Sequence, residues 1–570
     1  MKVESMRLPA IACALVLPLC ALAIKPVVEM GINDDWSFIK TVQILAQTGH
    51  IVYNGWAAVM LGWQLYLGAL FVKLFGFSFT IVRASMVVVA MATAFLLQRT
   101  MVRAGIRDWN ASLATLTLVT SPLFLPLAFS FMTDVTGLFS IVLCLYACLR
   151  SLQAETDSAA FAWICFAAVS NVIGGTTRQI VWLGLFVMVP STLWLLRRRP
   201  RFLLAGSVLY IAAVASVFAS LHWFHSQPYS VPENLIREPV TLRTFATLSK
   251  NMLRASLDTS LFLLPMLLIF IPEIRRGNRR FFMFFAAGAG LTALAALIDI
   301  RHIVYWLAPY LGNYVTIYGL LADGAVHGKR IVLNTGICTF VTVLNIVSVL
   351  SLFALLFAKL KKPHLESDPS QISWYRLNML IVPFTAAYIG LLIPRAAFGK
   401  LFFDRYVIPI MTMLLILILR FYQERVQPRV PAWTLVPIAI FAAFSIAGTH
   451  DLFAIHRGRL AAVEELRSAG VPPTAIDAGF EYNGWTQIEL ARYMNDPRIP
   501  LLPGDHFSAL KTPYKVCSPL FFENLSVLSP RYSMAYDPDE CEGPTHFAPV
   551  TVRTWLGPRY TTLYIVNIGE

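Results

Sequence analysis

The sequence predicts a polytopic α-helical membrane protein. It has about 13 transmembrane helices, juxtamembrane helices in the first outer loop, and a small extracytoplasmic α/β domain at its C-terminal end. Three observations predict this fold. Of 570 residues, 57% are hydrophobic and only 14% are charged, whereas soluble domains carry roughly 25% charged residues. That leaves too little polar material to cover a water-facing surface of this size. Apolar runs recur along most of the chain, and basic residues gather in every second connection between them. Together these exclude a soluble multidomain enzyme, a disordered scaffold and a fibrous protein.

The apolar runs lie at 8–24, 80–97, 111–128, 135–149, 159–173, 180–196, 202–223, 260–272, 281–298, 331–358, 377–393, 406–419 and 430–448. A helix needs ~17–25 residues to cross a bilayer, and several of the runs are shorter than that. If the N-terminus is cytoplasmic, the inner connections carry Arg99, Arg103 and Arg107, then Arg197, Arg198, Arg199 and Arg201. Arg275, Arg276, Arg279 and Arg280 come next, then Lys359, Lys361 and Lys362, then Arg420, Arg425 and Arg429. Short cytoplasmic loops concentrate Lys and Arg, so the C-terminal segment lies outside. The net charge of +14 is thus split among short loops and does not form a nucleic-acid surface. Lys2 and Arg7, with an apolar run ending Ala21-Leu22-Ala23 after them, also fit a cleaved signal peptide. Both readings put the segment from Glu29 onward on the outer side.

The organisation that results is a transmembrane region at 1–448 and an outer domain at 449–570. In the first outer loop, at 25–78, Trp36, Ile39, Val42, Leu45 and Ala46 recur at helical spacing up to Gly49. A helix there would lie along the headgroups. The stretch 56–75 is nearly apolar enough to cross, but crossing would carry the basic loop at 98–110 outside, so it too is read as interfacial. Trp306, Tyr310, Tyr314 and Tyr318 recur at near-helical spacing in the third outer segment, as an interfacial belt or as a wall for sugar or lipid. In the tail, 460–468 reads as helix, and 474–478 and 561–565 as strands. Cys517 and Cys541 lie on the oxidising side and are expected to pair. The other six cysteines fall in apolar runs, and no Cys/His spacing suggests zinc.

Ionisable residues cluster where outer loops meet spans, and charge at such depth is costly enough to imply a purpose. Asn33-Asp34-Asp35-Trp36 comes after the first span. Its carboxylates suit a general base for an acceptor hydroxyl, or a helix cap. Asp134, beside Thr133 at the mouth of a span, carries the same two readings. Arg178, in Gly174-Gly175-Thr176-Thr177-Arg178-Gln179, is an outer cation held either by a phosphate or by one of the acids. Lys400 and Arg405, flanking Asp404, suit an anionic lipid phosphate, against a local Asp404–Arg405 pair. Arg301 and His302 form a weaker cluster, and Arg83 is expected to pair with an acid or to snorkel.

This order of features resembles the GT-C glycosyltransferases, in particular the protein O-mannosyltransferases and the lipid A aminoarabinose transferases. The residues that carry the resemblance are the acidic pair after the first span, Leu74-Phe75-Gly76, Arg83, and Ser121-Pro122-Leu123-Phe124. Thr133-Asp134, Thr177-Arg178-Gln179 and Arg405-Tyr406-Val407-Ile408-Pro409 extend it. The resemblance implies a polyprenyl-phosphate sugar donor and transfer on the extracytoplasmic face, usually with inversion, to a glycan, lipid or protein acceptor. It makes Asp34 the leading base, puts Asp35 and Asp134 at the acceptor site, and gives Arg178, Lys400 and Arg405 to the donor phosphate. It implies no fixed cofactor, since some members hold a divalent metal and others none. Where relatives carry charged residues and a Pro-Pro before the second juxtamembrane helix, this chain reads Val59-Met60-Leu61-Gly62-Trp63-Gln64. Short inner loops and a compact tail suggest a bacterial inner membrane with a periplasmic C-terminal domain, while an endoplasmic-reticulum enzyme would have the same sidedness and Asn524-Leu525-Ser526 is a weak glycosylation sequon. The rival classes are a transporter or flippase of lipid-linked saccharides, and a non-catalytic envelope-assembly protein.

Overall fold

Hydrocarbon offers no water to unpaired backbone groups, so a chain this apolar must satisfy them within helices. The computed structural model is built in that way; it describes residues 7–56, 62–231, 239–298, 300–321, 326–358, 372–398, 402–494 and 511–568. α1 (Leu8–Ile24) leads into the first outer loop, which contains α2 (Asp35–Thr48) and α3 (Trp63–Phe75). Next are α4 (Phe79–Arg103), α5 (Asp108–Val119), α6 (Phe124–Ala128), α7 (Thr133–Leu152) and α8 (Asp157–Gly175), with α4 and α8 packed on α7. Beyond them come α9 (Val189–Leu195), α10 (Pro200–His225), α11 (Leu242–Phe262), α12 (Leu264–Leu267) and α13 (Arg279–Ile298). α14 (Thr335–Phe357), α15 (Trp374–Phe398) and α16 (Ile408–Arg425) complete the bundle with the 34-residue α17 (Leu435–Ser468).

Among the described residues nine helices are long and apolar enough to cross a membrane, or ten if one bent pair is a single span. That is fewer than the thirteen apolar runs, and proline accounts for most of the difference. The run at 111–128 splits into α5 and α6 on either side of Ser121-Pro122, because the residue before proline avoids the helical region. The run at 260–272 straddles a 72° bend between Leu242–Phe262 and Leu264–Arg276, where Pro265 begins α12. The run at 180–196 becomes a 3₁₀ turn, a π-helical turn at Gly184–Met188 and α9, which has Pro190 in its first turn. α1 is 17 residues long with Pro18 inside it.

α2 ends at Gly49, as its spacing predicts, but it does not lie bare on the headgroups. Trp36, Ile39, Val42 and Leu45 are buried, covered by α3 and by α18 (Phe480–Ala491) of the outer domain. The near-helical spacing of Trp306, Tyr310, Tyr314 and Tyr318 does not mark a helix either. A 3₁₀ segment ends at Trp306, and after Pro309 the chain forms a hairpin of β1 (Val315–Thr316) and β2 (Gly319–Leu320). The Asp258 carboxylate accepts the N–H groups of Tyr310 and Leu311, and that of Asp404 accepts those of Tyr314 and Val315.

α17 passes without a break through residues 448 and 449, so the C-terminal domain grows directly from an apolar helix. The domain carries an antiparallel sheet of β3 (Tyr532–Ala535), β4 (Val550–Arg553) and β5 (Tyr560–Asn567), with β5 central. The expected strand at 561–565 lies within β5. At 474–478 the backbone forms a 3₁₀ turn, Pro473–Ala475, and a single bridge from Ile476 to Tyr532, since Pro472 and Pro473 cannot donate to a ladder. Cys517 and Cys541 are disulfide-bonded.

Candidate active site

α7 begins with Thr133 and Asp134. Neither side chain caps the helix. Asp134 Oδ1 instead pairs with Arg178 Nη1 at 2.8 Å, and Arg178 Nη1 also lies 3.2 Å from Thr133 Oγ1. Arg178 sits in the turn after α8 and lies flat along α7. Gly137 permits this, since a Cβ there would meet Arg178 Cδ at 2.8 Å. The acid-pairing reading of Arg178 therefore holds in this structure.

The second oxygen of Asp134 faces Arg405 Nη1 at 3.8 Å. Arg405 leaves the 3₁₀ turn Asp404–Val407 that precedes α16. Asp404 is fully buried and spends its carboxylate on backbone N–H groups, including that of Arg405 itself. Arg405 is only 8% exposed. Its guanidinium lies among the rings of Tyr314, Phe403 and Tyr406, 5.0–5.9 Å from their centroids. Among the described residues neither Nε nor Nη1 of Arg405 has a hydrogen-bond partner, and neither does Oδ2 of Asp134. Orphaned buried donors are rare and expensive. Here two belong to one cation.

Three guanidiniums surround one aromatic ring. Arg178, Arg395 and Arg405 each lie 5.8–5.9 Å from the centroid of Tyr406, and Tyr388 donates its hydroxyl to the Tyr406 carbonyl at 3.0 Å. Sequence reasoning misses Arg395 and Tyr388. Arg395 stands directly after Pro394 at the outer end of an apolar run, and the sidedness argument that singles out Arg178 applies to it equally.

Asp34 and Asp35 diverge. Asp34 immediately precedes α2 but makes no capping hydrogen bond. Its Oδ1 accepts Trp56 Nε1–H at 2.9 Å, and the residue remains partly exposed. Burial pushes its carboxyl above the usual carboxylate value, with Glu481 and Asp35 adding to the rise, while Arg405 and the Trp56 bond pull the other way. Arg405 thus faces Asp34 as well as Asp134. Asn33, in the left-handed region at φ 56°, reaches the hydroxyl of the buried Tyr314 at 3.4 Å.

Asp35 is closed off from solvent and from Arg405. It pairs with Arg83 Nε at 2.9 Å, accepts the N–H of Ile32 and of Phe131, and is 0% exposed. Arg83 spends its remaining donors on the carbonyls of Val28 and Met30. Arg83 is therefore paired with an acid, as its position in α4 suggested.

Aromatic residues of the C-terminal segment cover the loop that carries Asp34. Phe480 packs against Trp36 and Trp56, and Phe521 against Trp56. Behind Phe480, Glu481 pairs with Arg459 at 2.7 Å and faces His456. Burial opposes its ionisation, yet Arg459 and His456 outweigh that and hold it well below the usual carboxylate range. Gln64, in the stretch that departs from the charged pattern, is buried and bridges the Phe131 carbonyl and Thr136.

Lys400 lies outside the described residues, as do the side chains of Arg301 and His302. Among the described residues the carboxylates near Arg405 do not fit a divalent metal. The Asp134 carboxylate lies between two guanidiniums, Asp35 is committed to Arg83, and Asp34 accepts from an indole. Among the described residues His327, Cys517 and Cys541 approach one another closely enough for an ion, but both sulfurs are in the disulfide.

No protein-family model matches the sequence, and comparison with curated proteins gives no match. Solved structures match at low identity. ArnT from Cupriavidus metallidurans bound to undecaprenyl phosphate is 15% identical, with a TM-score of 0.39 over 97% of either chain. The archaeal oligosaccharyltransferase AglB from Archaeoglobus fulgidus, in complex with an inhibitory peptide and a dolichol-phosphate, is 12% identical with a TM-score of 0.41. That match covers 91% of this chain and 64% of AglB. The protein O-mannosyltransferase complex of S. cerevisiae bound to the sugar donor is 13% identical with a TM-score of 0.33. There, 40% of this chain spans 34% of that one.

Proposed function

We propose that the chain is an integral-membrane glycosyltransferase of the GT-C type that moves a sugar from a polyprenyl-phosphate donor to an acceptor on the extracytoplasmic face. The observation that carries the reading is the pair of buried donors on Arg405 that make no hydrogen bond among the described residues, with a partly exposed carboxylate of raised pKa nearby. An anion such as a phosphate diester satisfies those donors. A carboxylate of raised pKa is a stronger base than an ordinary one.

In this reading the acceptor hydroxyl gives its proton to Asp34 as its oxygen bonds to the anomeric carbon. The bond from that carbon to the phosphate oxygen breaks on the opposite face, with inversion. Polyprenyl phosphate leaves with the electron pair, and its growing negative charge meets Arg405 and Arg178. Fixed cations in a water-poor site favour such charge development more than solvent does. Asp134 orients the two guanidiniums. Asp35 acts through Arg83 as a positioning residue, holding the turn that presents Asp34. The acceptor is a glycan, lipid or protein, and the host is a bacterial inner membrane with the outer domain in the periplasm.

The test is transfer from a labelled polyprenyl-phosphate sugar in reconstituted membranes. Asp34→Asn lowers transfer by about 10²–10⁴-fold and leaves donor binding intact. Transfer at the wild-type rate by Asp34→Asn would remove the base assignment.

A further inference from the structure

The hairpin joining β4 to β5 is tied at two points to the ends of helices long and apolar enough to cross a membrane. α17 and the short turn before it carry no charged residue from Ala432 through Thr449, and the first ionisable groups are His450 and Asp451. At ~1.5 Å per residue, Ala432 to Asp451 spans about 28 Å, close to the ~30 Å of a hydrocarbon core. Asp451 therefore marks the outer edge, and its two oxygens accept the N–H groups of Trp555 and Leu556 at 2.7 and 2.9 Å. The Trp555 indole stacks on His450 with centroids 4.0 Å apart. The second point is Arg330, which donates to the Leu556 carbonyl and pairs with Asp451. Five residues after Arg330, α14 begins, another helix long and apolar enough to cross.

The surface that the hairpin leaves uncovered has the chemistry of a headgroup layer. Trp555 is 45% exposed and Tyr560 57%. Arg553 and Arg559 are exposed on the same hairpin, Arg559 lies over the Tyr560 ring, and Lys329, exposed next to Arg330, lies over Tyr318. Trp and Tyr favour the interface, where one end of the ring is apolar and the other wet. Cations at this height attract anionic lipid.

We infer that this face of the β4–β5 hairpin, with Lys329, docks on anionic phospholipid headgroups of the outer leaflet and fixes the outer domain over the bundle. The inference uses topology and surface chemistry alone, so it stands or falls separately from the transfer reaction.

Hydrogen exchange of the full-length protein in nanodiscs tests it. In phosphatidylglycerol-rich discs, amides at 554–560 exchange roughly tenfold more slowly than in purely phosphatidylcholine discs, while β3 exchanges alike in both. Arg553→Glu with Arg559→Glu removes that difference and leaves β3 protected. If β3 protection is lost in that variant, Arg553→Gln with Arg559→Gln carries the same comparison. Equal exchange of 554–560 in the two lipids, or undiminished lipid protection in the folded charge variant, overturns the inference.

Discussion

Asp34 and Asp35 are neighbours in sequence yet belong to ionic clusters of opposite character. Around Asp35 almost every valence is spent: Arg83 holds both carboxylate oxygens, and two backbone N–H groups complete them. Around Asp134 and Arg405, by contrast, two buried guanidinium nitrogens and one carboxylate oxygen lack hydrogen bonds among the described residues. The first arrangement ties α2, α4 and the loop before α7 into one rigid frame. The second, mounted on that frame, retains unspent binding capacity. The difference teaches that in a membrane protein a buried charge is read by what it leaves unsatisfied, since a closed pair is a fastening and an open one is a site.

Substitutions at the two aspartates break this contrast most sharply. Asp34→Asn lowers the transfer rate by about 10²–10⁴-fold, the usual worth of a general base, with an unchanged melting temperature in detergent. Asp35→Asn leaves Arg83 buried and unpaired, which costs about 3–5 kcal/mol. It appears as a lowered melting temperature and loss of folded protein on size exclusion. If Asp35→Asn melts like wild type, the closed cluster is not a fastening.

The open cluster is tested next. Arg405→Gln removes a fixed cation from the leaving group and lowers kcat by about 10²–10³-fold, as measured by single-turnover transfer. Arg395→Gln, which loses a cation–π contact with Tyr406, raises the donor KM by about fivefold, roughly 1 kcal/mol.

The smallest effect is a displacement of the pH profile. Asp34 accepts a proton only when ionised, and its burial holds the carboxyl above the ordinary value. The acid limb of kcat/KM therefore lies above the usual carboxylate range, and activity rises as pH climbs through it. Arg405 favours the ionised form, so the residual activity of Arg405→Gln shows that limb displaced to higher pH. A limb at the ordinary carboxylate value in wild type would place the essential base elsewhere.

Much of this fold, and two of the arginines that gather around Tyr406, are legible in the sequence for identifiable reasons. Sidedness is set by basic loops, so cations on the wrong side, such as Arg178 and Arg405, stand out without any structure. The pairing of Cys517 with Cys541 rests on the same argument. Hydropathy does not reveal where a helix breaks inside an apolar run, and Pro122 and Pro265 break two of them. Aromatic spacing misleads at Tyr310 and Tyr314 because Pro309 and two distant carboxylates, Asp258 and Asp404, fix that backbone instead. The split between Asp34 and Asp35 depends on Trp56, Arg83, Phe131 and Arg405. These partners come from separate segments, and a local pattern carries no trace of them.

Equilibrium binding of a sugar-free polyprenyl phosphate to the purified protein tests the central claim most directly. Wild type and Asp34→Asn bind it alike, whereas Arg405→Gln and Arg178→Gln each weaken binding by roughly tenfold or more. Wild-type affinity in both arginine variants, with the fold intact, would contradict the assignment of these arginines to a lipid phosphate.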